Sequence, residues 1–171
     1  IAAIQYLYGP ALYNNDDTVY KIDQSKPFFQ AIWDSGGTDT FDFSDFENAC
    51  EINLQAGSYS TIPCAGWPIT DNLGIAFGAI IENAIGGTKS DTIFGNSANN
   101  ELIGGGGNDT INGGAGNDTF DISGDRSGAD TFYGEQGDDS YFLDNHSDQV
   151  IEVFNEGIDT IWVTMEGEYS L

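Results

Sequence analysis

The chain of 171 residues carries 28 Asp and Glu against 4 Lys and Arg, a formal net charge of −24. It therefore lacks the basic patches that nucleic acid or an anionic membrane requires, and no run of 18 apolar residues exists to span a bilayer. Such charge suits disorder, yet 39% hydrophobic and 13% aromatic residues argue for a folded object, and the two agree if bound cations neutralise the acid.

Residues 1–8 suit a short helix stopped by Gly9 and Pro10. The helix has no N-cap, as expected of a piece continuing from a longer chain. Strand-like runs follow at 18–22, 28–33, 40–43, 51–54 and 75–81. Between two of them, Asp34-Ser-Gly-Gly-Thr-Asp39-Thr-Phe41 reads as an isolated cation-binding turn. Cys50 and Cys64 enclose a polar loop with Pro63 and are read as a disulfide of an exported protein, against the alternative of two buried thiols.

From Gly86 the chain repeats every nine residues: GGTKSDTIF, GNSANNELI, GGGGNDTIN, GGAGNDTFD, an irregular unit, GEQGDDSYF and LDNHSDQVI. Fourteen of the 23 glycines fall between Gly86 and Gly137. Position six is Asp91, Asn100, Asp109, Asp118, Asp130, Asp139 and Asp148, and position eight is Ile93, Leu102, Ile111, Phe120, Phe132, Tyr141 and Val150. The step from Asp118 to Asp130 is twelve, so that unit holds an insertion of three. Glycines at positions one, two and four let the backbone turn where a Cβ would forbid it. The three residues after the turn form a short strand whose middle side chain points inward. Alternate turns then stack strands into two parallel sheets, a flattened coil stabilised by its neighbours and by whatever fills the turns.

Calcium is expected to fill them. Carboxylates and glycine carbonyls are hard oxygen ligands, suited to a flexible cage of six to eight donors. Zinc would want His or Cys, of which there are one and two. Facing turns lie two units apart, which pairs Asp91 with Asp109, Asp109 with Asp130, Asp130 with Asp148, Asn100 with Asp118, and Asp118 with Asp139. Three to five ions are expected in the roll, fullest around Asp109 and Asp118.

IAAIQYLYG, DTVY, WDSGGTDTFDFS, INL and IENAIGG running into the nonapeptides resemble, over about residues 1–121, the carboxy-terminal domain of serralysin-type secreted metalloproteases. The resemblance implies an all-β module, a parallel β-roll flanked by antiparallel strands, exported by a bacterial type I system to the extracellular medium. It implies a calcium site at Asp34, Gly36, Gly37 and Asp39, completed by backbone oxygens near Asn14, Asp16 and Thr18. It further implies that Glu82 joins Gly87 and Asp91 in the first roll site, and that Asn96, Ala98 and Asn100 ligate in the next turn. Gly104, Gly105, Gly107 and Asp109 match the turn after, and Gly113, Gly114, Gly116 and Asp118 the following one. The same repeat places Asp130, then Gly134, Gly137 and Asp139, then Asp148 among the candidate ligands. The family's zinc motif HExxHxxGxxH is absent, and His146 is the lone histidine. Residues 122–171 resemble instead the strand-rich repeats of long multi-module RTX proteins.

Three parts are therefore expected: 1–85, a helix and flanking strands; 86–151, the roll; and 152–171, capping strands, together one structural domain of a longer chain. A triad through His146 would need adjacent residues on one turn, and the repeats claim most carboxylates for ions, so this piece is read as non-catalytic. Trp33, Trp67 and Trp162 would suit stacking on sugars but are read as core. The expected function is a calcium-dependent folding and export module with a covalent neighbour domain, most simply a zinc metalloendopeptidase; the alternative is an adhesive or carbohydrate-binding module.

Overall fold

In the computed structural model of the chain, residues 14–64, 66–121 and 128–163 are described. Among them every regular element is a strand, and most are three residues long. Seven strands form one sheet, in the order β1 (Val19–Lys21), β3 (Thr40–Asp42), β7 (Asn83–Ile85), β9 (Glu101–Ile103), β11 (Thr119–Asp121), β13 (Ser140–Leu143) and β15 (Thr160–Val163). Five form a second: β4 (Glu51–Asn53), β8 (Thr92–Phe94), β10 (Thr110–Ala115), β12 (Thr131–Gln136) and β14 (Gln149–Ile151). All pairings within these two sheets are parallel. Through the repeats the chain alternates between the sheets, so each coil contributes one strand to each and the turns line two opposite edges.

Parallel register stacks like on like. One column runs Tyr20, Phe41, Ala84, Leu102, Phe120, Tyr141 and Ile161; the other runs Ile52, Ile93, Ile111, Phe132 and Val150. The residues inside these columns are fully buried, as is Ile52 at one end, whereas at the other ends Tyr20 and Val150 are partly buried and Ile161 is half exposed. Across the columns Phe120 meets Phe132 edge-on, and along its own column it stacks on Tyr141 with ring centres 4.7 Å apart. A three-residue strand buries one large side chain, worth about 1.5–3 kcal/mol. That is too little to order a coil alone, so each coil depends on its neighbours.

The sheets run past the boundaries at 85/86 and 151/152, since β1, β3 and β4 lie in the first part and β15 in the last. Among the described residues, antiparallel pairing beside the roll is confined to β5 (Tyr59–Ser60) with β6 (Leu73–Ile75) and to two isolated bridges, Glu51 with Thr61 and Cys64 with Trp67. β6 also pairs in parallel with β2 (Gln30–Ile32), completing a three-stranded sheet. The expected strand 75–81 ends at Ile75; a turn through Gly78, at φ +84°, separates it from β7. The helix expected at 1–8 lies outside the described residues.

The expected disulfide is not formed: Cys50 and Cys64 are buried free thiols. The Glu51–Thr61 bridge, extended by one residue, sets Ile62 rather than Cys64 opposite Cys50. That leaves the cysteines on a diagonal, too far apart for the short Cβ separation a disulfide needs. Each thiol instead lies over a nearby carbonyl, Cys50 on Asn48 and Cys64 on Ile62. Burial pushes the Cys50 thiol up to about 12. Two of the three tryptophans also depart from the core. Trp33 packs against it, but Trp67 and Trp162 are more than half exposed. Trp162 follows Ile161 on β15, so it points outward, where its ring stacks on Phe142.

Candidate metal centre

Each edge of the roll is a ladder of carboxylates. On one, Asp39 Oδ1 accepts from Thr18 N at 2.8 Å, and Glu82 Oε2 accepts from Asp39 N at 2.8 Å. Further along, Asp118, Asp139 and Asp159 Oδ1 accept from Asn100, Asp118 and Asp139 N at 2.7, 2.7 and 3.1 Å. On the other, Asp91, Asp109, Asp130 and Asp148 Oδ1 accept from Cys50, Asp91, Asp109 and Asp130 N at 2.6, 2.7, 2.7 and 3.2 Å. All five facing pairs read from the repeat are made by these bonds. Short strands set the step, because β-pairing between coils brings the last residue of one turn over the last residue of the turn two units away.

One oxygen of each rung is thus committed. The second oxygens of Asp39, Asp118 and Asp139 are buried and have no hydrogen-bond partner among the described residues. Those of Asp91 and Asp148 are satisfied locally, by Gly87 N at 2.6 Å and Asn145 N at 3.0 Å. Burial without a compensating cation pushes Asp118 up to about 7 and Asp39 up to about 6, and raises Asp91 and Asp139. An unpaired buried carboxylate oxygen is costly, and a hard divalent cation relieves it by favouring the charged form. The donor set therefore fits calcium chemistry.

The glycines leave room for these oxygens. A Cβ on Gly104 or Gly113 would collide with Oδ2 of Asp109 or Asp118 in the same turn. Gly105 and Gly107 sit at φ +86° and +120°, and Gly114 and Gly116 at +102° and +122°, where side chains are disfavoured. Gly134 opens the turn that carries Gly137 and Asp139.

Residues of the turn ahead of the roll are brought together, while the Thr18 carbonyl accepts from Thr40 N at 2.8 Å. Asp34 Oδ1 accepts from Gly36 N at 3.1 Å, and its Oδ2 accepts from the Tyr20 hydroxyl, which in turn accepts from the Asn14 amide at 3.0 Å. Asn14 O accepts from Ser35 N, Asp16 O accepts from the Thr18 hydroxyl, and Gly37 packs against the Asp16 carbonyl. Glu82 is placed differently from its expected group. It lies before β7 on the edge of Asp39 and Asn100, where its carbonyl accepts from the Asn100 amide, while Gly87 and Asp91 bond to each other on the opposite edge. Asn96 and Asn100 largely satisfy themselves. Asn96 Oδ1 accepts from Ala98 N and from the Asn100 amide, and Asn100 Oδ1 accepts from Asn96 N.

A second ladder escapes sequence reasoning. Side-chain oxygens of Asp17, Ser90, Asn99, Asn108, Asn117 and Asp138 accept from N of Thr38, Asn108, Asn117, Ala129, Asp138 and Ile158. Within the repeats Ser90, Asn99, Asn108, Asn117 and Asp138 stand at position five, immediately before the carboxylate or carboxamide, and the recurring Asn was the available signal. Asp159 and Glu152 were also missed, Asp159 because two extra residues put it off the nine-residue period and Glu152 because it stands at position one, where the preceding repeats on its edge carry glycine.

The family described as "Peptidase M10 serralysin C terminal" matches residues 4–167, well beyond the 121 residues over which the resemblance was first read. Serralysin C of Dickeya chrysanthemi is 42% identical over 106 residues, 54% of this chain and 21% of its own. Serralysin of Photorhabdus laumondii subsp. laumondii is 42% identical over 113 residues, and metalloprotease AprA of Pseudomonas entomophila 42% over 110, each covering 56% of this chain and 22% of theirs. The chain thus spans about a fifth of the length of these relatives. With the parallel coil, the carboxylate ladders and this match over nearly its whole length, the chain belongs to the serralysin C-terminal family of peptidase M10 proteins.

Proposed function

We propose that this chain is a calcium-dependent folding module of a larger secreted protein, a serralysin-type zinc metalloendopeptidase whose bacterial type I export it supports. The observation that carries the reading is the set of buried second oxygens on Asp39, Asp118 and Asp139, which have no hydrogen-bond partner among the described residues. Asp34, Asp39 and the carbonyls of Asn14, Asp16, Gly36 and Gly37 would hold one ion. Others would lie between successive turns ending in Asp91, Asp109, Asp118, Asp130, Asp139 and Asp148. Bound calcium supplies the positive charge that lets stacked carboxylates stay ionised.

With a net charge of −24 and little free calcium, as in a cytosol, repulsion between coils opposes folding. Outside the cell, millimolar calcium meets sites of the extracellular class, with dissociation constants of roughly 10⁻⁴–10⁻³ M. An ion at 100 times its dissociation constant adds about 2.7 kcal/mol, so several ions exceed the margin of a typical domain. Export thereby switches folding on, and catalysis belongs to the neighbouring domain. Circular dichroism during a calcium titration tests this. The strand signal is expected to vanish in chelator and return with calcium, and Asp109→Ala to raise the midpoint; a signal indifferent to excess chelator overturns the reading. One observation favours the carbohydrate-binding alternative, the exposure of Trp67 and Trp162. Glycan binding abolished by Trp67→Ala or Trp162→Ala would support it.

A further inference from the structure

We propose that Asp139, Glu152 and Asp159 form an additional cation site at the C-terminal end of the roll, built partly from residues outside the repeating turns and taking a hard divalent cation of the Ca²⁺ class. Carboxylate oxygens of the three lie within 4.8 Å of one another. Asp139 is 1% exposed, with Oδ1 committed to Asp118 N, while Oδ2 is buried and has no hydrogen-bond partner among the described residues. Glu152 presents the same asymmetry: Oε1 accepts from the Tyr141 hydroxyl and Oε2 is buried without a partner among the described residues. Asp159 Oδ1 accepts from Asp139 N at 3.1 Å, which pins the third carboxylate beside the first.

The convergence is aimed at one point. A Cβ on Gly134 would run into Asp139 Oδ2, the Tyr141 hydroxyl and Glu152 Oε1, so a glycine leaves open the face on which these oxygens meet. Glu152 reaches this point because it stands at the first position of its unit, 18 residues after Gly134, where the preceding repeats on this edge carry glycine. Asp139 and Asp159 are 20 residues apart, against 18 for Asn100 and Asp118, and the two extra residues fall after Glu152, within the turn that leads to Asp159. The ion pairs among the described residues, Lys21 with Asp42 and Lys26 with Asp23, lie elsewhere. Three like charges this close stay ionised together only around a counter-ion. A donor set of carboxylate oxygens alone selects calcium over zinc.

The choice of ion rests on the calcium reading above, but the residues Glu152 and Asp159 do not. The test is the number of Ca²⁺ ions bound per chain at equilibrium dialysis, measured by atomic spectroscopy on the whole chain and on Glu152→Gln, with the strand signal followed in parallel. The expected result is one ion fewer in Glu152→Gln with the strand signal kept. An unchanged count of two or more overturns this site and leaves the calcium reading of the turns standing. A fall from one ion to none supports this site while overturning that reading, and no calcium in the parent chain overturns both. Should Glu152→Gln fail to fold, Asp159→Asn, at a partly exposed carboxylate, is read by the same count and the same criteria.

Discussion

Replacing Asp118 by Asn separates a cation ligand from a mere hydrogen-bond acceptor. Asp118 Oδ1 accepts from Asn100 N at 2.7 Å, and the amide oxygen of Asn in the same place keeps that bond. What changes is charge. Without calcium, burial holds the Asp118 carboxyl up to about 7 against an ordinary value near 3.8, so ionising it in the fold at neutral pH costs on the order of 4 kcal/mol. Asn removes that cost, and the calcium-free variant should be more stable than its parent by up to this amount. With calcium the sign reverses. Asp118 faces two gaps, toward Asn100 and toward Asp139, and losing one ion held at 100 times its dissociation constant removes about 2.7 kcal/mol. The assay is urea unfolding followed by circular dichroism, with and without millimolar calcium, the calcium-free chains being compared in sucrose to favour the folded state. A shift of the same sign and size in both conditions refutes the reasoning, because it would mean that the carboxylate serves only its neighbour's N–H.

Gly107→Ala should destabilise the calcium-bound chain by about 2 kcal/mol or more, because φ is +120° and the new Cβ would stand 2.5 Å from the Lys89–Ser90 backbone. Gly106→Ala, whose Cβ would come no nearer than 3.4 Å to Thr88, should shift the melting temperature little, and equal losses in the two variants would contradict the turn geometry. The calcium-free chain should gain strand signal on acidification. Asp39, Asp91, Asp118 and Asp139 are raised in the fold, so the folded state binds more protons and their cost, fully present above about 7, is gone below about 4. A spectrum that is flat or loses strand between pH 7.5 and 4.5 (about the window set by these values) would oppose this. In calcium the same acidification should instead raise the calcium midpoint, since protons compete for the ligands. Thiol titration of the denatured, unreduced chain should find both Cys50 and Cys64 reactive, and none would mean a disulfide after all.

The parts of this fold visible in the chain are those where one chemistry recurs at one phase. Position six is a carboxylate or carboxamide and position eight a large apolar residue, and these became the rungs and the columns. β7 was missed because Asn83-Ala84-Ile85 offers only a methyl to the column and is preceded by Glu82 where the pattern wants Asp. The position-five ladder was missed because Ser, Asn and Asp share one function there, a side-chain oxygen, which identity alone conceals. The disulfide was argued from compartment and spacing, whereas strand register decides whether two cysteines can meet. Exposure of Trp162 follows from its place next to an inward Ile161 at the last strand, a fact of coil position and not of residue type.

The direction of the carboxylate rungs gives the roll a polarity. Each acid accepts from the coil before it, so Thr18 depends on Asp39, Asn100 on Asp118, Asp118 on Asp139 and Asp139 on Asp159. The position-five side chains point the other way, each serving the coil after it. Shortening such an array from its two ends is therefore not symmetrical. Removing the last coil deprives the one before it of a carboxylate acceptor, whereas removing the first leaves a spare carboxylate oxygen at the new edge and takes from the next coil its position-five acceptor. The completed C-terminal coil acts as a template for the coil that precedes it, and ordering of the anionic edge is expected to spread from that end toward the N-terminus.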